Sequence, residues 1–178
     1  MVRIFKFTAV FALAVILAGQ FGSGQVSNNL PNFQKVNDNL YRGAEPKEAG
    51  IAELKKLGIK TVIDMGNGEK DSKNERGWVE NAGMGYRNIH LHNWLKSKPS
   101  DTDAILKEIE KPENQPVFLH CKRGSDRTGT VIAIYRMKND GWTPDQAMDE
   151  AKKFGFGWWQ FWMKDFVNDY YRDHIAKK

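Results

Sequence analysis

The stretch "QPVFLHCKRGSDRTGTV", residues 115–131, constrains the fold more than any other part of the chain. A run of apolar β-formers, Val117-Phe118-Leu119, ends at His120 and Cys121. Gly124 and Gly129 allow tight turns, and the pattern that follows predicts a helix from Arg127 to about Asn139. A strand apolar on both faces needs a covering layer on each side, so it belongs in the middle of a sheet flanked by helices. The rest of the sequence repeats this alternation. "IKTVIDMG" and "GYRNIHLHNW" read as strands, and "PKEAGIAELKKLG" and "SDTDAILKEIEK" as amphipathic helices, the second with Ser100 and Asp103 in capping-box spacing. "VNDNLYRGAEP" suggests a short hairpin, and "NGEKDSKNERG" a polar loop before a short helix around Trp78 to Glu80. In "GWTPDQAMDEAKKFG", Thr143, Pro144 and Gln146 mark a capped helix start. The expectation is a single α/β domain with a central, mostly parallel sheet flanked by helices.

The ends of the 178-residue chain read differently. Arg3 and Lys6 precede an apolar run at residues 7–19, and small residues follow at 22–24, which is the layout of a secretory signal. That run is shorter than the roughly 20 residues of a membrane span, so no integral span is expected in the mature chain, an uncleaved anchor being the alternative. Gln20 stands where a lipoprotein would carry its lipidated cysteine. The division is therefore a signal peptide at 1–24, a flexible segment at 25–35 and the domain at 36–178, in an exported protein, periplasmic or secreted. Without Arg3 and Lys6 the net charge of +5 falls by two, to +3. No basic run or basic helix face calls for nucleic acid, and a monomer is expected. The aromatics at 158, 162, 166 and 170 recur every four residues, a helical face for core packing, and their companion charges are of mixed sign.

Cys121 is the only cysteine, which excludes an intramolecular disulfide and a dithiol redox protein. A buried structural cysteine is the plain alternative. Its surroundings point to a nucleophile instead. A helix N-terminus offers unpaired N–H groups and a partial positive charge to an anion. Helix N-termini and nearby cations can lower a cysteine pKa from about 8.5 to about 3.5–7.5, and Arg127 supplies a planar fork for two phosphoryl oxygens. The pattern Cys-x5-Arg-Thr-Gly resembles the signature loop of the cysteine-based protein tyrosine and dual-specificity phosphatases, matching at His120, Cys121, Gly124, Arg127, Thr128 and Gly129. "LYRGAEP", "LGIKTVIDM", "PVFLHCKRG" and "MDEAKKFGF" resemble the bacterial and atypical dual-specificity branch, over roughly residues 36–160. The resemblance implies that family's fold and a phosphocysteine intermediate, with no metal and no cofactor. It also implies residue roles. Cys121 attacks phosphorus, while the amides of 122–127 and Arg127 bind the oxyanions. Thr128 eases departure of the thiolate, and His120 sets the loop geometry and the cysteine pKa. Lys122, Arg123, Gly124 and Ser125 complete the substrate-binding loop.

The family's general-acid aspartate would fall near Asn93, where this chain has no carboxylate. Asp126 is the favoured substitute, since "DRT" resembles the loop of myotubularin and Sac-type lipid phosphatases; Asp101, Asp103 and His92 are the alternatives. His90 and His92 share a strand face, but no third ligand follows at a metal-binding spacing. Lys122 and Arg123 put two further cations in the loop, as in phosphatases of inositol lipids and inositol polyphosphates, and Arg42 and Arg87 could add charge to the rim. The expected substrate is a phosphorylated protein, of tyrosine or dual-specificity type. The alternatives are an inositol phosphate or phosphoinositide, and a catalytically weak phospho-binding module.

Overall fold

A computed structural model describes residues 27–66, 69–91 and 98–177. The expected signal peptide, and the positions of His92 and Asn93, lie outside the described residues. Five strands form one sheet in the order β1 (Gln34–Asn37), β2 (Leu40–Ala44), β5 (Val117–Cys121), β3 (Thr61–Asp64), β4 (Gly85–Asn88). β1 and β2 are the expected hairpin, and every other pairing is parallel. The helices are α1 (Glu48–Lys56), α2 (Glu69–Asn81), α3 (Pro99–Glu110), α4 (Asp126–Asn139), α5 (Pro144–Lys153) and α6 (Phe161–Tyr170). The single α/β domain with a largely parallel sheet is the fold expected from the sequence.

Strand alternation sorts the core into two layers. Val62, Tyr86 and Phe118 pack with Ile51, Leu54 and Val79 of α1 and α2. Ile63, Val117 and Leu119 face the other way, onto α3, α4, α5 and α6 through Ile105, Ile134, Met148 and Val167. Because side chains alternate, His120 shares its face with Phe118, whereas Cys121 shares its face with Leu119. Adjacent residues thus look into opposite layers. None of the described helices is long and apolar enough to cross a membrane.

Four sequence expectations change. The segment 67–77, read as a polar loop, belongs largely to α2, which is one helix over 69–81. Its inward face carries Ser72, Glu75 and Val79, all buried, so a helical stripe that is partly polar escapes a hydrophobic-periodicity reading. The capping box expected at Ser100 does not form: α3 starts at Pro99, with Lys98 at the N-cap and no side-chain cap bond. The capping box of α5 does form, between Thr143 and Gln146. The segment expected to be flexible is packed from Ser27 onward. Leu30 is buried, and Ser27 and Asn29 both donate to Glu53, at 2.9 and 2.8 Å. Finally, the aromatic stripe is only partly core. Trp162, Phe166 and Tyr170 pack against the α3–α6 layer, but Trp158 precedes α6 and is exposed.

Candidate active site

The carboxyl ends of β2, β5 and β3 lie level, with Ala44 opposite Cys121 and Asp64 opposite His120. Open α/β sheets bind ligands at this edge. From Cys121 the chain turns through 122–125 into α4, whose N-cap residue Ser125 makes no side-chain cap bond. The first N–H groups of a helix have no intrahelical partners, so α4 points unpaired donors and its positive dipole end at the loop. Cys121 is buried, and Thr128 Oγ1 donates to its sulfur at 3.2 Å. Arg127 is also buried, its guanidinium donating to the Met65 carbonyl at 2.6 Å, just beyond β3. Cys121, Lys122, Arg123, Ser125, Asp126 and Arg127 line one cavity of about 250 Å³, joined by Trp159 and Gln160 from the segment just before α6.

The loop rests directly on β2. Gly124 has φ +66°, and a Cβ there would come within 2.4 Å of the Gly43 backbone. Arg42 of β2 donates to the Gly124 carbonyl at 2.8 Å, and its guanidinium lies 4.1 Å from the centre of the Phe154 ring. Burial lowers the Arg42 pKa to about 10, which leaves it cationic at neutral pH. It is therefore a support under the loop and not part of a cationic rim. Asn32 ties the same loop down with one amide, donating to the carbonyls of Arg123, Gly124 and Phe154. Arg87, the other cation expected at the rim, pairs with Glu108 at 3.6 Å.

His120 faces the opposite layer, stacked on Phe118, with Nε2 2.8 Å from Glu75 of α2 and Nδ1 4.0 Å from Asp64. Burial alone would lower its pKa, but the Glu75 and Asp64 carboxylates and the nearby Cys121 together outweigh it, and the net direction is upward. Two buried acids thus favour the charged form of the imidazole beside Cys121. Asp64, Glu75 and His120 are close enough together to invite a metal reading. Asp64 already accepts from the Gly66 amide at 2.6 Å, from the Tyr86 hydroxyl at 2.8 Å and from Asn88 at 2.9 Å. A carboxylate so engaged fits a hydrogen-bonded ion-pair cluster better than a metal ligand.

Around the cavity the structure divides the proposed acids. Asp126 is in the site, yet both its oxygens accept: Oδ1 from the Gly157 amide at 2.8 Å and Oδ2 from Arg123 at 2.5 Å. The geometry makes it a strut between the loop and the segment before α6. Asp103 accepts from the Tyr170 hydroxyl and lines a separate cavity with Lys138 and His174. Asp101 stands in the first turn of α3, next to Ser100, which donates to it. Lys122 pairs with Glu45 at 2.5 Å, at the mouth. Sequence reasoning missed Glu75, Asp64, Asn32 and Trp159. Only Asp64 left a signal, as a carboxylate ending an apolar strand.

The whole site lies within residues 29–178, which match the tyrosine phosphatase family. Dual specificity protein phosphatase TpbA of Pseudomonas aeruginosa is 31% identical over 129 residues, covering 71% of this chain. Inositol diphosphatase DSP2 of Oryza sativa is 30% identical over 132 residues, covering 69% of it. These matches span 56% and 61% of the relatives' own lengths. The crystal structure of P. aeruginosa TpbA superimposes with a TM-score of 0.69 at 26% identity, covering 82% of this chain and 88% of that one. By the span of that match and the loop at its centre, the chain belongs to the tyrosine phosphatase family.

Proposed function

We propose that the protein hydrolyses phosphomonoesters through a phosphocysteine intermediate, with a phosphorylated protein as substrate and phosphotyrosine as the preferred ester. The carrying observation is that Cys121, Arg127 and the N-terminus of α4 line one cavity, with the Thr128 hydroxyl donating to the Cys121 sulfur. The sulfur attacks phosphorus and the ester P–O bond breaks, the leaving oxygen departing as the alkoxide or phenolate and taking up a proton. The α4 amides and Arg127 hold the oxyanions through the transition state. Water then attacks phosphorus, the S–P bond breaks, and the Thr128 hydroxyl stabilises the departing thiolate. A phenolate leaves more readily than an alkoxide, which suits a site whose loop carboxylate, Asp126, is engaged on both oxygens.

A second reading, an inositol phosphate or phosphoinositide substrate, draws on the exposed Lys122 and Arg123 at the mouth. A relative named as an inositol diphosphatase also favours it. Their pairing with Glu45 and Asp126 offsets part of that charge and ranks this reading second. Phosphate release without added metal, compared between a phosphotyrosine peptide, a phosphoinositide and an inositol polyphosphate, tests both. Cys121→Ser is expected to abolish release. Activity that survives Cys121→Ser would sink the mechanism, and faster turnover of the polyanions would reverse the ranking. We also infer export, from Arg3, Lys6 and the apolar residues 7–19. Cell fractionation that finds the protein only in the cytoplasm would overturn it.

A further inference from the structure

One residue that lines the cavity beside the loop is aromatic, and nothing in the phosphate chemistry requires that. Trp159 lines the same cavity as Cys121 and Arg127 yet is 45% exposed. Its placement is built in from two sides. A Cβ on Gly157 would come within 2.8 Å of the Trp159 indole, so the ring lies close against the Gly157 backbone. The Gly157 amide is itself fixed to Asp126 of the phosphate loop. On another side the Trp158 ring meets Trp159 edge-on, centroids 5.7 Å apart at 85°, and Trp158 in turn meets Phe161 at 6.4 Å. A large apolar plane held half in solvent beside a polar cavity forgoes the free energy of its own burial. A ligand that covers the plane recovers it.

We propose that Trp159 is the specificity-determining wall of this site, stacking on the aromatic ring of an aryl phosphomonoester while the phosphate sits over Cys121. This deepens the phosphatase reading and rests on it for the position of the phosphate. The Asp126–Gly157 bond sets the distance between the two recognition elements, because one carboxylate joins the helix that binds phosphate to the segment that carries the indole. A phosphoserine side chain presents no ring face to the wall, so Trp159 adds affinity for the aryl ester alone.

The test uses the Cys121→Ser protein as a binding trap beside the active enzyme, each with and without Trp159→Leu or Trp159→Phe. The probes are one uncharged peptide sequence carrying phosphotyrosine or phosphoserine. Trp159→Leu is expected to weaken phosphotyrosine-peptide binding and to raise its KM by roughly 3- to 10-fold, the range of an aromatic pair. The phosphoserine peptide and inhibition by orthovanadate should change less than about 2-fold, and Trp159→Phe should restore most of the loss. Equal losses on both peptides, or no loss on either, would overturn the proposal. If the enzyme releases no phosphate from either peptide, the phosphatase reading fails, while the ratio of trap affinities still decides the role of Trp159. Failure of the trap to bind either peptide overturns the proposal as well.

Discussion

Arg42 and His120, under the phosphate loop, are each 1% exposed, whereas the side chains of Lys122 and Arg123 on its rim are 73% and 64% exposed. The lower pair is held by fixed partners: the Gly124 carbonyl and the Phe154 ring for Arg42, Glu75 and Asp64 for His120. The upper pair meets Glu45 and Asp126 across a surface where solvent and salt screen the attraction. A buried ion pair that loses one partner leaves the other charge stranded, at a cost of roughly 3–5 kcal/mol, while an exposed pair contributes about 0–1 kcal/mol. The comparison teaches that the shape of the loop is set from below, while the charges on its rim are held only loosely.

Glu75→Gln probes the lower region and should have the largest effect. It removes the main partner of a buried imidazolium and should destabilise the fold by roughly 3 kcal/mol. The pH dependence carries a sign. His120 has its pKa raised in the folded state, so its stabilising share is complete below the ordinary imidazole value of 6.5 and is lost as pH rises through the elevated value. Denaturation curves should therefore show the gap between wild type and variant widest below pH 6.5 and narrower in alkali. A gap independent of pH would break the assignment of charge to His120.

Asp126→Asn tests the link between the two regions and should have an intermediate effect. The amide oxygen can still accept from Gly157, but the NH2 group would face Arg123. Roughly 1–2 kcal/mol of stability should be lost, and turnover should fall by similar factors on an aryl phosphate and on an ester with a poor leaving group. A much larger loss on the poor leaving group would return Asp126 to the role of acid. The smallest effect is expected above the loop. Lys122→Ala and Arg123→Ala should each change stability by less than about 1 kcal/mol. Their effect on KM should be larger for an inositol polyphosphate than for a phosphotyrosine peptide and should shrink as salt rises. Equal, salt-insensitive effects on both substrates would erase the distinction between the regions.

The phosphate loop and the strand that enters it were legible in the sequence because their residues are neighbours along the chain. His120, Cys121, Arg127 and Thr128 come from one strand–loop–helix unit, and the glycines that shape it are visible in order. The supports come from afar. Glu75 sits on a helix whose inward stripe includes Ser72, so an apolar pattern could not find it. Asn32 lies before the first strand, in a stretch that reads as polar and unstructured. Arg42 was within reach: strand alternation places it with Leu40 and Ala44, facing the same layer as Leu119, and a charge on that face had to be buried. The Trp159 wall follows from the close approach of Gly157, which no local pattern announces.

The alternation that sends His120 and Cys121 to opposite sides of one strand has an evolutionary consequence. The two carboxylates that raise the imidazole pKa, Glu75 and Asp64, come from α2 and β3, neither of which lines the cavity beside Cys121. Changes in that layer can shift the charge of the imidazole without touching the side chains that line the cavity. Changes in the α5–α6 connection can do the reverse. The two layers can therefore change along separate routes, with the central strand acting as the partition between them.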